Sequence, residues 1–338
     1  MANGIKALRQ IQMSREATQG TATTDFSPWR GIGTLEDSRE SVFPEEDIGI
    51  FAGTDRQYFP KLAATLEMDE IEATFEQLPH ILDAAIKKVT PTTDSGTDYI
   101  RTYTWPIVSS DTVESSDLQT YSFKCGDNNE VEKFGFGFVK GFSLSGTAGE
   151  AWKVKATWEG REVASDSDGF VTVTIPDVEE MLFSKSKLYI DASSDTIGTT
   201  LVSNTLIGAE FSADPTGWQA VYTGSGRLDL SFIKQVQPEI KLDITFEHNA
   251  TATAEKAAWR AGTPRLIKIL CEGSALATAG LLYTYNSMVI NLAGKWDTFE
   301  KIDEQDGNDV VTGHFIARYN STAALFASII VVNEVASL

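Results

Sequence analysis

Cysteine is nearly absent from the chain: Cys125 and Cys271 are the two among 338 residues. They lie far apart in sequence, which excludes a disulfide framework and a CxxC zinc-ligand pair. Both are expected to be small core residues in a reduced intracellular compartment. Histidine is also scarce. His80, His248 and His314 are distant from one another and form no HExxH or HxH pairing. No window approaches the ~18 apolar residues of a transmembrane helix, and the longest run, Ala323 to Val332, is about half that and rich in β-formers. Residues 1–30 lack a continuous apolar stretch, so no signal peptide is expected. Basic residues are under-represented, 28 against 48 acidic ones, for a net charge of −20. That balance excludes a general duplex-DNA binder and disfavours anionic membrane surfaces.

Catalytic and cofactor motifs are missing as well. There is no GxSxG turn for a hydrolase nucleophile, and neither GxxxxGK[ST] nor GxGxxG to cradle a phosphate. Ser184-Lys-Ser-Lys187 fits S-x-x-K literally but stands without its partner motifs. Asp303-Glu-Gln-Asp-Gly-Asn-Asp309 has carboxylates beside a glycine, yet the EF-hand spacing fails, and a hairpin turn is the expected reading. Asp166-Ser-Asp-Gly169 reads the same way. The sequons at Asn249 and Asn320 need a secretory route that the chain lacks. No catalytic residue, metal ligand or cofactor is therefore expected. With 48 acids some pair falls within glycosidase spacing by chance, so a carbohydrate hydrolase is a weak competing reading.

What is present points to strands. The length suggests two domains, and 42% hydrophobic residues are enough to build real cores. Period-2 patterns recur at Tyr99–Trp105, Phe134–Gly146, Trp152–Trp158 and Phe170–Ile175. Later strand candidates are Lys187–Ile190, Leu206–Phe211, Arg227–Phe232, Ile240–Phe246, Leu266–Cys271, Ser287–Leu292, Thr312–Tyr319 and Phe326–Val332. Two stretches read as helix. One spans about 69–87, with Pro79 kinking it or near its start, and the other spans about 251–261, stopped by Gly262. Each lies between two strands, and the order strand–helix–strand recurs about 175 residues apart. The expected class is α+β, predominantly β: two tandem β-sandwich or barrel modules, each with one packed helix. Residues 1–40 are expected to be an extended arm, 41–185 the first module and 186–338 the second.

Charge is distributed unevenly. Lys6, Arg9 and Arg15 make the start of the arm basic, whereas residues 36–79 hold twelve acids, among them Glu45, Glu46 and Asp47, against three bases. A basic arm and an acidic patch on one chain can attract each other between copies. The polar loop Pro106–Asp117, with Asp111 and Glu114, offers a further contact of that kind. Phe75, on the apolar face of the first helix, completes the candidate inter-subunit residues.

Several stretches together resemble the tail tube proteins of long-tailed (siphovirus-type) bacteriophages. They are Arg15-Glu-Ala-Thr-Gln-Gly-Thr-Ala22 with Glu46-Asp-Ile-Gly49; Leu66-Glu-Met68 with Thr74–Leu82; Val139–Gly146 with Trp158-Glu-Gly-Arg161; Tyr189-Ile-Asp191 with Ile197–Thr200; and Asp306-Gly-Asn308 with Ile330–Asn333. The resemblance covers most of the chain and keeps the order of these pieces. It implies a β-sandwich or small barrel with one helix, subunits closing into rings, and a continuous β-barrel lumen through which double-stranded DNA leaves the capsid. A doubled module implies trimers with pseudo-sixfold symmetry. The implied partners are the chain itself and other tail proteins (terminator, tape measure, distal tail), with DNA passing unbound and no membrane. The implied location is the virion tail, after synthesis in the host bacterial cytoplasm. The alternative is another non-enzymatic virion component: a capsid decoration, baseplate or adhesin protein.

Overall fold

The computed structural model describes residues 4–107, 114–172, 174–305 and 307–338. The chain is predominantly β, with two α-helices and large antiparallel sheets. Its first part contains β1 (Gln10–Arg15), β2 (Ser27–Pro28), β3 (Gly33–Asp37), β4 (Glu40–Val42), β5 (Tyr58–Lys61), β6 (Ala64–Glu72), α1 (Leu78–Ala85), β7 (Tyr99–Thr104), β8 (Tyr121–Gly126), β9 (Val131–Thr147), β10 (Lys153–Gly160) and β11 (Ala164–Ser165). The second contains β12 (Ser186–Ala192), β13 (Leu201–Val202), β14 (Leu206–Ala213), β15 (Trp218–Val221), β16 (Phe232–Gln235), β17 (Ile240–Glu247), α2 (Ala250–Arg260), β18 (Arg265–Ala275), β19 (Tyr285–Phe299), β20 (Asp303–Gln305), β21 (Asn308–Ala317) and β22 (Ala327–Asn333).

The alternation that predicts these strands also orients them. On β6 Ala64, Leu66 and Met68 are buried while Glu67 is exposed, and on β17 Ile240, Leu242, Ile244 and Phe246 are buried. A half-buried sheet needs this period of two.

One strand order occurs twice. Neighbours run β3–β6–β10–β9–β8–β1 in the first half. They run β14–β17–β21–β19–β18–β12 in the second. The chain visits the six positions in the same sequence each time, and α1 follows β6 as α2 follows β17. Registers correspond too. Trp158 lies between Leu66 and Val139, and Phe315 between Leu242 and Trp296. The spacing from Val139 to Trp158 equals that from Trp296 to Phe315 (158 − 139 = 315 − 296 = 19), and each hairpin has a register shift at the next position, Lys140 or Asp297. Two seams join the halves into one sheet: β9 with β14, and β7 with β22.

Four expectations need correction. The stretch 69–87 is not one helix. Its first residues continue β6, with Ile71 and Glu72 paired to β10 and the Asp69 N–H bonded to the Ile32 carbonyl, and the helix is Leu78–Ala85 with Pro79 in its first turn. The ladder with β10 outweighs the helical spacing of Ile71, Phe75 and Leu78. Phe170–Ile175 contributes no strand among its described residues, and of Arg227–Phe232 only Phe232 enters one. The arm is not free either: β1 pairs with β8 along its length and sends Ile11 and Met13 into the core. By contrast, α2 ends where Gly262 takes φ +64°, and 303–309 is the expected hairpin, with Asp306 outside the described residues.

Candidate functional site

Eight strands lie edge to edge in the order β3–β6–β10–β9–β14–β17–β21–β19. One face of this sheet is core: Leu66, Trp158, Leu144, Phe211, Leu242 and Phe315 are all at most 1% exposed. The opposite face is polar. One row of directly paired positions reads Glu72–Lys153–Ser145–Glu210–Asp243–His314–Thr298, seven strands without an apolar side chain. None of these seven residues is buried. A soluble antiparallel sheet that keeps one face wet shows this alternation.

The polar face is net acidic. Glu36, Glu67, Glu70, Glu72, Glu159, Glu210, Asp243, Glu247 and Glu300 stand against Lys153, Lys155, Lys241 and Lys295, a balance of 4 − 9 = −5. Adding the charged residues at the register shifts, Asp69, Lys140 and Asp297, gives 5 − 11 = −6. Polar contacts knit the face: Ser145 Oγ donates to Glu70 at 2.8 Å and Lys140 Nζ to Glu159 at 2.6 Å. Asp243 lies 2.8 Å from His314 Nδ1, and Glu300 lies 3.3 Å from Nε2. Partial burial works to lower the His314 pKa, but these two carboxylates outweigh it and hold the imidazole above its usual range.

A second polar cluster is internal. Arg15 Nη2 lies 2.7 Å from Asp83 Oδ2, and Tyr103 OH donates to Asp83 Oδ1 at 2.9 Å. Burial raises the Asp83 pKa, opposed chiefly by Arg15. Arg101 donates to Asn333 Oδ1 at 2.9 Å and to the Val335 carbonyl at 2.7 Å. His80 Nδ1 lies 3.0 Å from Tyr121 OH, and burial together with Arg15 and Arg101 pushes its pKa down to about 3. Both cysteines are free and buried, with burial pushing the thiols up to about 12 for Cys125 and about 11 for Cys271. The cluster ties α1 to β1, β7 and β22. Among the described residues no group of three or more His, Cys, Asp or Glu could hold a metal.

The nine residues singled out in the sequence do not converge. Lys6 and Arg9 are exposed, next to Ile5, whose N–H bonds Asn128 at 2.9 Å. Arg15 is used inside the chain, on Asp83. Phe75 is wholly buried, so it is a core residue and not a contact surface. Glu45 and Asp47 are exposed on the excursion between β4 and β5, and Glu46 there bonds Arg56 at 2.6 Å and Thr54 at 2.8 Å. Glu114 is exposed, and Asp111 lies outside the described residues. The same excursion exposes Phe43, Ile48, Ile50 and Phe51, an apolar group that sequence reasoning passed over. The polar face was legible strand by strand from the alternation, but the pairing that makes it one surface was not. Compared with protein-family models and with curated proteins, the sequence matches none.

Proposed function

We propose that the chain is a tube subunit of a long bacteriophage tail. Three copies close into a ring with the polar face turned inward, and stacked rings conduct duplex DNA. The observation that carries this reading is the repeated strand order, which presents one polar eight-strand surface open at both ends. Magnitudes select the ring size. Strands about 4.8 Å apart and tilted by about 40° give a backbone diameter near ~48 Å for 3 × 8 = 24 strands and ~32 Å for 2 × 8 = 16. Removing about 5 Å of side chain per wall leaves roughly 38 Å or 22 Å; the larger clears a ~20 Å duplex with room for its water and ions, whereas the smaller leaves only about 2 Å, less than one layer of water. The face charge of −5 to −6 per copy repels phosphates, so DNA slides without adhering. Lys6, Arg9 and the excursion bearing Glu45, Asp47, Phe43 and Phe51 are the surfaces for contact between rings, since exposed apolar groups rimmed by charge mark interaction sites. Terminator, tape-measure and distal tail proteins are the expected partners at the tube's ends.

Negative-stain electron microscopy of the purified chain over a concentration series tests this. Stacked rings with a channel wider than a duplex, and threefold or pseudo-sixfold end-on averages, are expected. Discrete, unringed particles at every concentration would overturn the reading in favour of a decoration, baseplate or adhesin protein.

A further inference from the structure

We infer that the seam between ring neighbours is an antiparallel ladder between β3 of one copy and Phe299–Lys301 of the next, with Leu35 opposite Lys301 and Asp37 opposite Phe299. This rests on the ring reading above and specifies its contact. The template is inside the chain. The outer edge of β14 is filled by β9, from Gly208 opposite Thr147 to Ala213 opposite Phe142, so paired positions sum to 355. β3 is the first-half equivalent of β14. Leu35 and Phe211 lie opposite the equivalent residues Leu66 and Leu242, an offset of 176. β19 is the equivalent of β9 at an offset of 157, as Trp296 is to Val139. Carrying the seam across gives 355 − 176 + 157 = 336, the sum for 35 with 301 and for 37 with 299.

Three independent observations agree. Among the described residues β3 pairs with β6 alone, and a cleft of about 330 Å³ opens along its other edge between Ile32–Leu35 and residues Gln10 and Gly126. Backbone direction fits. The Ile32 carbonyl and the Ser38 N–H both turn to β6, so Gly33, Leu35 and Asp37 present theirs outward, while Glu300 N–H turns to Thr312 and leaves Phe299 and Lys301 outward. A register differing by one residue would pair outward groups with inward ones. Finally, Ile32 is 46% and Ile302 51% exposed, and this register makes them diagonal neighbours on one face, with Thr34 opposite Ile302. An open edge with unpaired backbone groups and an apolar residue is the kind that recruits another strand.

Thr34 and Ile302 would form a non-hydrogen-bonded pair, whose Cα atoms approach to about 4.5 Å, within disulfide range. Thr34→Cys with Ile302→Cys, assembled and mildly oxidised, is expected to yield covalent dimers and trimers that reductant reverses. With Cys125, which lines the same cleft as Thr34, replaced by serine, each single variant oxidised in the folded state stays monomeric when read in non-reducing denaturant, because Cys271 is buried during oxidation. Thr34→Cys with Lys301→Cys, on opposite faces, also stays monomeric. Asp37→Pro, which removes an outward N–H at an exposed position, is expected to abolish rings while circular dichroism and the melting midpoint stay those of the parent chain. Rings or tubes that form without the Thr34–Ile302 cross-link, or that survive Asp37→Pro, would overturn the seam and leave the ring reading standing. A parent chain that forms no ring at any concentration would overturn both.

Discussion

His314 is held between Asp243 and Glu300, and the raised pKa fixes the sign of its pH effect. A histidine whose folded pKa exceeds its unfolded value, about 6.5, adds stability that is complete below that value and lost as pH rises through the folded pKa. The urea midpoint of the parent chain should therefore exceed that of His314→Gln most at pH 6, with the gap closing toward pH 9. His80 has the opposite sign. Its pKa is pushed down to about 3, so it adds stability above about 6.5 that is lost as pH falls toward 3. His80→Gln should flatten the acid limb of the stability curve. Glu16 supports the fold differently. Its buried carboxylate accepts from Gly20 N–H at 2.6 Å, Thr120 Oγ1 at 2.6 Å, Ser122 Oγ at 2.8 Å and Phe136 N–H at 2.8 Å. Glu16→Ala leaves four donors without their acceptor and should cost about 3 kcal/mol or more in chemical denaturation.

At the scale of elements, β1 separates two truncations that the sequence alone would treat alike. Removing residues 1–8 takes away an exposed turn and should leave the melting midpoint within a degree or two, whereas removing 1–24 deletes a strand that buries Ile11 and Met13 and should prevent folding. The repeated hairpins give a paired test. Trp158 and Phe315 occupy equivalent buried positions, so Trp158→Ala and Phe315→Ala should each cost about 3–5 kcal/mol. Asn249 caps α2 through Oδ1, accepting from Thr251 N–H at 2.9 Å and Ala252 N–H at 3.2 Å, and Asn249→Ala should cost about 1 kcal/mol by the same measurement.

For the whole molecule, charge and the seams between halves dominate. Copies carrying −20 each repel one another, and the proposed seam sets Glu36 across from Glu300. Salt screens both repulsions, so the concentration needed for assembly, followed by light scattering, should fall between about 0.05 and 0.5 M salt. The halves are also bound to each other, since β9 pairs with β14 and β7 with β22. Fragments 1–185 and 186–338 produced together should co-purify, and the intact chain should unfold in one transition.

The sequence by itself determined the class and much of the element list. Alternating apolar residues need a sheet with one buried face, and Gly262 after an alanine-rich stretch can only end α2. Buried cysteines followed from their scarcity and separation. What it left open was decided by pairing. Whether residues 69–72 coil or extend depends on β10 beside them and on the Ile32 carbonyl that accepts the Asp69 N–H, and those partners come from positions 153–154 and 32. The arm's β1 is polar enough to look free until β8 takes its backbone groups. The polar face, the recurrence of one strand order and the two unfilled edges exist only in the ladder between strands far apart in the chain, because local alternation fixes which face of a strand is buried but not which distant strand it pairs with.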